Sequence, residues 1–385
     1  MRIFNMPDIP LIAEIGLALG LGYFFTAMYL LSHPQPKKKT PFRLPHVAVI
    51  VAMRDEAENI IYCLQSLKKQ TYPEHLYKVY IADDRSQDAS RQLVSAFIQD
   101  DSRFKLISIT EDKFNLKGKM NVLAQVLEQI EADIVLITDA DCIVNPKWIG
   151  TFVDYFEDDT GMVGGLTMLY PLPFTNLDKT KFGFFKSIQA LDWLLLQTIA
   201  ASSSNAKLPI TILGNNFGFR IQAYQATGTF KKMKFSVTED YALMRAIEKT
   251  KSWKIKYTLD PDNTIFSFPV PGLRQFYLQR KRWIVGGKSM RSWGYFITGL
   301  STLAHLIMIL CFIFMQWKVS AALGIGLIIG TDYFIINRQL KKLSVNHLKK
   351  YFIPFEIFYT AYLIFFGFTF PLMRKVKWKK RSFKK

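Results

Sequence analysis

The sequence predicts a mainly parallel α/β domain carried on transmembrane helices. Short β-branched runs alternate with amphipathic stretches through the polar middle of the chain, and long apolar runs flank that middle on both sides. Acidic clusters, moreover, stand where the predicted strands end.

Residues 9–31 form a mostly apolar run interrupted only by Glu14. A helix needs roughly 20 such residues to cross a bilayer core. Its length, and the lack of a small-residue cleavage site before Ser32-His33-Pro34, favour a retained anchor over a cleaved leader. Residues 46–52 (HVAVIVA) read as a strand ending at Arg54-Asp55-Glu56, followed by an amphipathic stretch over 58–69. Residues 77–82 (YKVYIA) give a second strand, which ends at Asp83-Asp84-Arg85-Ser86. A helix over 91–99 with Asp88 as its cap, a strand over 104–109 and a helix over 119–130 come next. The fourth strand, 134–138 (IVLIT), ends at Asp139.

In sheets of this kind, ligands sit outside the carboxyl ends of the strands. Glu56, Asp83-Asp84 and Asp139-Asp141 all fall at such ends. One acid after a strand is commonly a turn former; three converging on one edge point to a nucleotide site.

Further on, Gly214-Asn215-Asn216-Phe217-Gly218 makes a glycine-punctuated turn, and Thr238-Glu239-Asp240 opens a helical stretch over 241–249. The apolar segment 182–201 reads as core or, with Lys181 and Lys186, as a segment lying at the membrane interface. Gln279-Arg280-Lys281-Arg282-Trp283 immediately precedes three apolar runs, at 295–317, 319–336 and 351–373. The expected organisation is an anchor over 1–36, a catalytic domain over 37–290, and membrane helices with a basic tail over 291–385.

Half of the residues are hydrophobic, 32 of them Phe, and the formal charge is +19. The basic clusters at 37–39, 338–350 and 374–385 adjoin apolar runs, which suits anionic lipid and the cytoplasmic side of a membrane and argues against a nucleic-acid partner. Cys63, Cys142 and Cys311 have spacings of neither a disulfide framework nor a zinc site, in keeping with a reducing compartment. These features lead us to expect a multi-pass protein of the inner membrane with a cytoplasmic catalytic domain. Three full crossings after that domain would leave the basic tail outside. Residues 351–373, with Pro354, Glu356 and Pro371, are therefore expected to be re-entrant or interfacial, and the parity stays open. The spans carry few charges, which disfavours a channel. No feature specifies an oligomeric state.

The polar clusters permit a definite chemistry. Asp139 and Asp141 flank a single residue and can hold one Mg2+ or Mn2+, ions that prefer oxygen ligands and are often shared with substrate phosphates. Lys119, in Lys117-Gly118-Lys119, is either a solvated helix start or a point charge beside a diphosphate. Asp240 either steadies a helix N-terminus or serves as the general base. Arg282 matches a diphosphate, and Trp283 is either an interfacial anchor or a stacking platform for sugar or acceptor.

Taken in order, Asp83-Asp84, Asp139-Ala140-Asp141, Thr238-Glu239-Asp240 and Gln279-Arg280-Lys281-Arg282-Trp283 resemble the motif series of the inverting, membrane-bound family 2 glycosyltransferases, which include cellulose, hyaluronan and chitin synthases and ceramide glucosyltransferase. The resemblance covers residues 47–283 and the pattern of spans. It implies a GT-A fold and a nucleoside-diphosphate-sugar donor, in all expectation UDP-linked. Glu56, Asp83 and Asp84 would lie in the uridine pocket, Asp139 and Asp141 would hold metal and donor, and Asp240 would be the base. Gln279, Arg282 and Trp283 would close over diphosphate and acceptor. Arg54-Asp55-Glu56 departs from the Asn-Glu pair common in the family. A second pair of N-terminal spans and a long C-terminal extension, usual in polysaccharide synthases, are also missing. The function expected is transfer of one sugar to a lipid or lipid-linked acceptor. The alternatives are a processive polysaccharide synthase and a non-catalytic nucleotide-sugar-binding membrane protein.

Overall fold

A computed structural model of the chain describes residues 9–169, 183–314, 318–373, 375–378 and 381–384. Lys181 and Phe182, residues 315–317 of one apolar run, and Arg374, Lys379, Lys380 and Lys385 of the basic tail lie outside the described residues.

Along the chain, helix α1 (Ile9–Ser32) comes first. The predicted alternation then follows: β1 (Val47–Met53), α2 (Ile60–Lys68), β2 (Tyr77–Asp83), α3 (Ser90–Phe97), β3 (Phe104–Ser108), α4 (Gly118–Leu127) and β4 (Ile134–Asp139). Next come β5 (Ile143–Val144), α5 (Trp148–Val153), β6 (Thr160–Gly164), β7 (Thr167–Leu169) and α6 (Phe184–Asn205). Then follow β8 (Asn216–Arg220), α7 (Ile221–Ala226), α8 (Glu239–Lys249), β9 (Lys254–Tyr257), β10 (Ile265–Ser267) and α9 (Leu273–Gly286). Three long helices close the chain, α10 (Ser292–Ile313), α11 (Val319–Lys342) and α12 (Phe352–Thr369), before a short hairpin of β11 (Lys375–Trp378) and β12 (Arg381–Lys384).

These elements form two compact units. One comprises Gln35–Gly183, Thr211–Lys288 and Arg374–Lys385, and the other comprises Met1–Pro34, Phe184–Ile210 and Ser289–Met373.

In the first unit the described strands build a seven-stranded sheet of order β3-β2-β1-β4-β8-β6-β9. Neighbouring strands run parallel except at β8, which is antiparallel to both β4 and β6. The apolar runs of β1 and β4 are continuous because helices cover both faces of a central parallel strand. Val49, Val51 and Leu136 accordingly have no exposed surface; burying each such side chain stabilises the fold by about 1.5–3 kcal/mol. Register decides where the acids go: β1 pairs Met53 with Asp83 of β2 and Ala52 with Asp139 of β4, so the two aspartates end the strands on either side of β1, at one edge of the sheet. A small sheet, β5-β10-β7, stands beside the segment after β4. Trp148 and Asn216 lock this region together, since the buried indole Nε1 donates to Asn216 Oδ1 at 2.9 Å while Asn216 Nδ2 donates to the carbonyls of Leu166 and Asn263.

The second unit is helical. Four of its described helical segments are long and apolar enough to cross a membrane: Leu11–Ser32, Ser292–Ile313, Val319–Lys342 and Asn346–Leu372. The last of these covers all but the final residue of 351–373, whose length and composition also allow a full crossing. Pro354 sits in the first turn of α12, where no intrahelical N–H is needed, and Pro371 lies beyond its end. Helix α1 meets α11 backbone to backbone: a Cβ on Gly20 would come within 2.7 Å of the Gly324 carbonyl oxygen, and one on Gly324 within 2.6 Å of that of Gly16. Small residues permit such close crossing in lipid, where packing rather than hydrophobicity joins helices. The apolar segment after residue 183 becomes α6, a member of this helical unit. The few ionisable residues of the spans include His305, Asp332 and Glu356, all three buried among the helices.

Candidate active site

The site is built first from the two turns that follow β1 and β2. Asp55 and Arg85 adopt left-handed backbone conformations, φ 51° and 60°, which bend each turn back on itself. Their side chains and amides then sew the turns together. The Asp55 N–H donates to Ser86 Oγ at 3.0 Å, Gln87 N–H to Asp55 Oδ1 at 2.8 Å, Glu56 N–H to Ser90 Oγ at 2.7 Å and Ala57 N–H to Asp88 Oδ2 at 3.0 Å. Asp88 also receives the first N–H of α3, from Ser90, so the predicted cap does double duty. Asp83 is buried and accepts the Ser86 N–H at 3.1 Å. Asp84 is buried too, its Oδ1 held by Arg85 at 2.7 and 2.9 Å. Both aspartates thus shape the turn, while Asn59 fixes the Glu56 carboxylate at 3.0 Å.

The second part of the site forms where α4, β4 and α8 meet. Gly118 has φ +57°, a conformation that glycine tolerates best, and it starts α4 so that Lys119 faces the end of β4. Lys119 Nζ donates to Asp139 Oδ1 and to the Gly214 carbonyl, each at 2.6 Å, and lies 3.4 Å from Glu239 Oε1. Burial by itself would push this ammonium down, but Asp139 and Glu239 outweigh it and hold it above its ordinary value. Lys119 is therefore a fixed positive charge.

Gly214 touches the first turn of α8: a Cβ there would stand 2.8 Å from Asp240 Oδ2. Only a residue without a side chain lets the loop before β8 pass so near that carboxyl. The Asp240 carboxyl is pushed up to about 7, chiefly by burial and then by the neighbouring Glu239, against the lowering effects of the Tyr241 N–H, Lys119 and Arg282. A carboxylate tuned to near-neutral pH can both accept and release a proton there. The nearby thiols are not competing nucleophiles: burial first, then Asp141 and Asp139, raise both Cys63 and Cys142.

The third part is α9. Gly286, at its end, packs against Thr238, where a Cβ would come within 2.4 Å of Thr238 Cγ2. The influence of Arg282 on Asp240 brings this helix into the same field. Arg280, which the sequence reading passed over, is the buried arginine of the group, 4% exposed. It lies 4.1 Å from the Trp283 ring centroid and 4.5 Å from that of Phe276, and donates to Gln279 Oε1 at 3.3 Å. It thus positions Gln279 and Trp283 rather than facing solvent. Glu239 was also missed; its signal was adjacency to Asp240, but only the fold shows it sharing Lys119 with Asp139.

Lys119, Asp139, Gly214, Glu239 and Asp240 therefore form one cluster, with Arg282 contributing its charge. Glu56, Asp139 and Asp141 all act on the Cys63 thiol, which ties the first part of the site to the second. Asp139 keeps 40% of its side chain exposed, the opening toward which a ligand can approach.

Comparison with known proteins matches residues 48–225 to glycosyl transferase family 2. Those residues form a family 2 glycosyltransferase domain. A hyaluronan synthase of Streptococcus pyogenes is 28% identical over 151 residues, 39% of this chain and 33% of that protein. The beta-monoglucosyldiacylglycerol synthase of Trichormus variabilis is 23% identical over 273 residues, 71% of this chain and 55% of that protein. The chain thus spans between about a third and somewhat over half of these relatives. Among solved structures, the mannosyltransferase PcManGT of Pyrobaculum calidifontis, in complex with GDP-Man and Mn2+, superposes with a TM-score of 0.58 at 16% identity, over 92% of this chain and 98% of that one. The fold is GT-A-like, a mainly parallel mixed sheet with helices, as expected.

Proposed function

We propose that the chain is an inverting, metal-dependent glycosyltransferase that moves one sugar from a nucleoside-diphosphate donor, UDP-linked in our reading, to a lipid or lipid-linked acceptor at the cytoplasmic face of the inner membrane. One observation carries the proposal: Lys119 bridges Asp139 and Glu239 beside an Asp240 carboxyl poised near neutrality. The helices flanking the domain in sequence and the similarity to a glucosyldiacylglycerol synthase support a membrane lipid as acceptor.

Asp139 and Asp141 suit a hard divalent ion. They offer carboxylate oxygens at and just after the end of β4, where Asp139 keeps 40% of its side chain exposed to an approaching ion and its shared donor phosphates. Bound there, Mg2+ or Mn2+ would act as a Lewis acid toward the departing diphosphate. The protein's own groups do the rest. Asp240 takes the proton from the acceptor hydroxyl as its oxygen attacks the anomeric carbon, and the sugar–phosphate bond breaks on the opposite side. Arg282 and Lys119 offset the charge that gathers on the leaving diphosphate. Gln279 and Trp283, held by Arg280, orient diphosphate and acceptor. Glu56 and the turn shaped by Asp83 and Asp84 receive the base and ribose.

The test is to incubate the full chain in detergent with divalent metal, a panel of nucleotide-sugars, and diacylglycerol or polyprenyl-phosphate acceptors, with products read by mass spectrometry. A lipid carrying a single sugar is expected. A long polymer made from donor alone would replace this reading with a processive synthase, and failure to consume any donor would leave a binding protein.

A further inference from the structure

The helical unit holds a second polar constellation that the transfer chemistry does not use. His305 of α10, Asp332 of α11 and Glu356 of α12 bring one coordinating atom each to within 4.8 Å of one another. His305 and Asp332 have no exposed surface and Glu356 only 4%.

The hydrogen bonding around this group fixes what it presents. His305 Nδ1 stands 2.7 Å from the Ser301 carbonyl, which can only accept, so Nδ1 carries the proton. In the neutral ring, Nε2 is then a bare lone pair. It faces Asp332 Oδ2 at 3.3 Å and Glu356 Oε1 at 3.2 Å, so three acceptors confront one another. Among the described residues none of these atoms has a hydrogen-bond partner, and neither does Glu356 Oε2, the second oxygen of a carboxyl aimed into the cluster. Unsatisfied buried carboxylate oxygens are costly, and more so in a lipid-spanning segment.

A cation at the centre resolves the arrangement. Metal–ligand bonds of about 2.0–2.2 Å put neighbouring ligand atoms roughly 3.0–3.5 Å apart, and the two measured separations lie in that range. A proton on Nε2 would leave Glu356 Oε2 unsatisfied and the group with a net negative charge. A divalent ion balances a neutral imidazole and two carboxylates and can take both Glu356 oxygens. The supporting contacts are in place as well: Ser301 fixes the His305 tautomer, and the Tyr23 hydroxyl of α1 donates to Asp332 Oδ1 at 2.5 Å. We propose that His305, Asp332 and Glu356 bind one divalent first-row transition-metal ion, Zn2+ fitting the closed site best, as a structural clamp joining α10, α11 and α12, with α1 tied in through Tyr23.

The test uses the full chain in detergent carrying Asp139→Asn and Asp141→Asn, so that metal held by the strand-end aspartates does not contribute. After stripping with chelator, the protein is loaded with Zn2+, dialysed, and its metal measured by plasma mass spectrometry. About one Zn2+ per chain should remain, falling below about a tenth when Glu356→Gln is added, and Zn2+ should raise the Tm only with Glu356 intact. Should Glu356→Gln fail to fold, Co2+ loaded into the unaltered cluster gives a second readout, with visible absorption of a low-coordinate ion having one imidazole ligand. Absence of stoichiometric Zn2+, its retention after Glu356→Gln, or a Co2+ spectrum lacking the imidazole would overturn the proposal in favour of a proton-closed cluster. None of these outcomes bears on the glycosyltransferase reading.

Discussion

The most consequential prediction concerns Asp240, whose carboxyl stands at about 7 because of burial and Glu239. With a base of that pKa, the ionised fraction rises from about 9% at pH 6 to about 91% at pH 8, so kcat/KM should climb roughly tenfold across that interval. Asp240→Asn should lower turnover by about 10²–10⁴-fold and abolish the rise, while leaving donor binding intact. The same shift predicts an effect on stability. The folded carboxyl holds its proton more tightly than the unfolded one, so its contribution is fully present below the ordinary carboxylate range and is lost as pH rises through about 7. Asp240→Asn should then stabilise the protein at pH 8 by about 2–4 kcal/mol, taking some three units at 1.36 kcal/mol each and discounting for partial exposure, and do little at pH 4. Nucleoside-diphosphate release measured from pH 5.5 to 9, with thermal unfolding in detergent at both extremes, tests both. A flat rate profile, or a variant that keeps wild-type turnover, would refute the assignment.

Gly214→Ala would put a Cβ 2.8 Å from Asp240 Oδ2 and displace the base. A fall in kcat of about 100-fold with little change in KM for the donor is expected from steady-state kinetics, as misplacement by about 1 Å costs that much. Lys119→Met removes a charge that lowers the Asp240 carboxyl and frees Asp139 and Glu239 from their common partner. Its residual activity should show a pH profile displaced to higher pH, whereas an unmoved midpoint would mean that Lys119 is merely structural.

Much of the sheet was legible in the chain because the central strands β1 and β4 are apolar on both faces and β2 and β3 are largely so. The runs at 46–52, 77–82, 104–109 and 134–138 mark β1 to β4 to within a residue or so at each end. The strands β6, β8 and β9 were not legible. Thr160–Gly164 and Asn216–Arg220 are short, contain glycine, and owe their conformation to neighbours far away in sequence. Among the candidate site residues, Asp139 and Asp240 were marked by their places at a strand end and a helix start. Glu239 shared that helix start and Arg280 stood inside a motif, but neither place reveals which side chain is buried and which faces ligand.

What the sequence by itself determined is what repeats locally: strand and helix periods, apolar runs long enough for a bilayer, and acids at strand ends. Tertiary structure alone decided which charges meet. Lys119, Gly214 and Glu239 are far apart in the chain, yet they come within hydrogen-bonding or ion-pair distance. His305, Asp332 and Glu356 sit singly on three apolar helices and form a cluster only when those helices pack. The physical reason is that hydrophobic periodicity depends on neighbours in sequence. Charge pairing and the tuning of a carboxyl depend on neighbours in space, and folding supplies those.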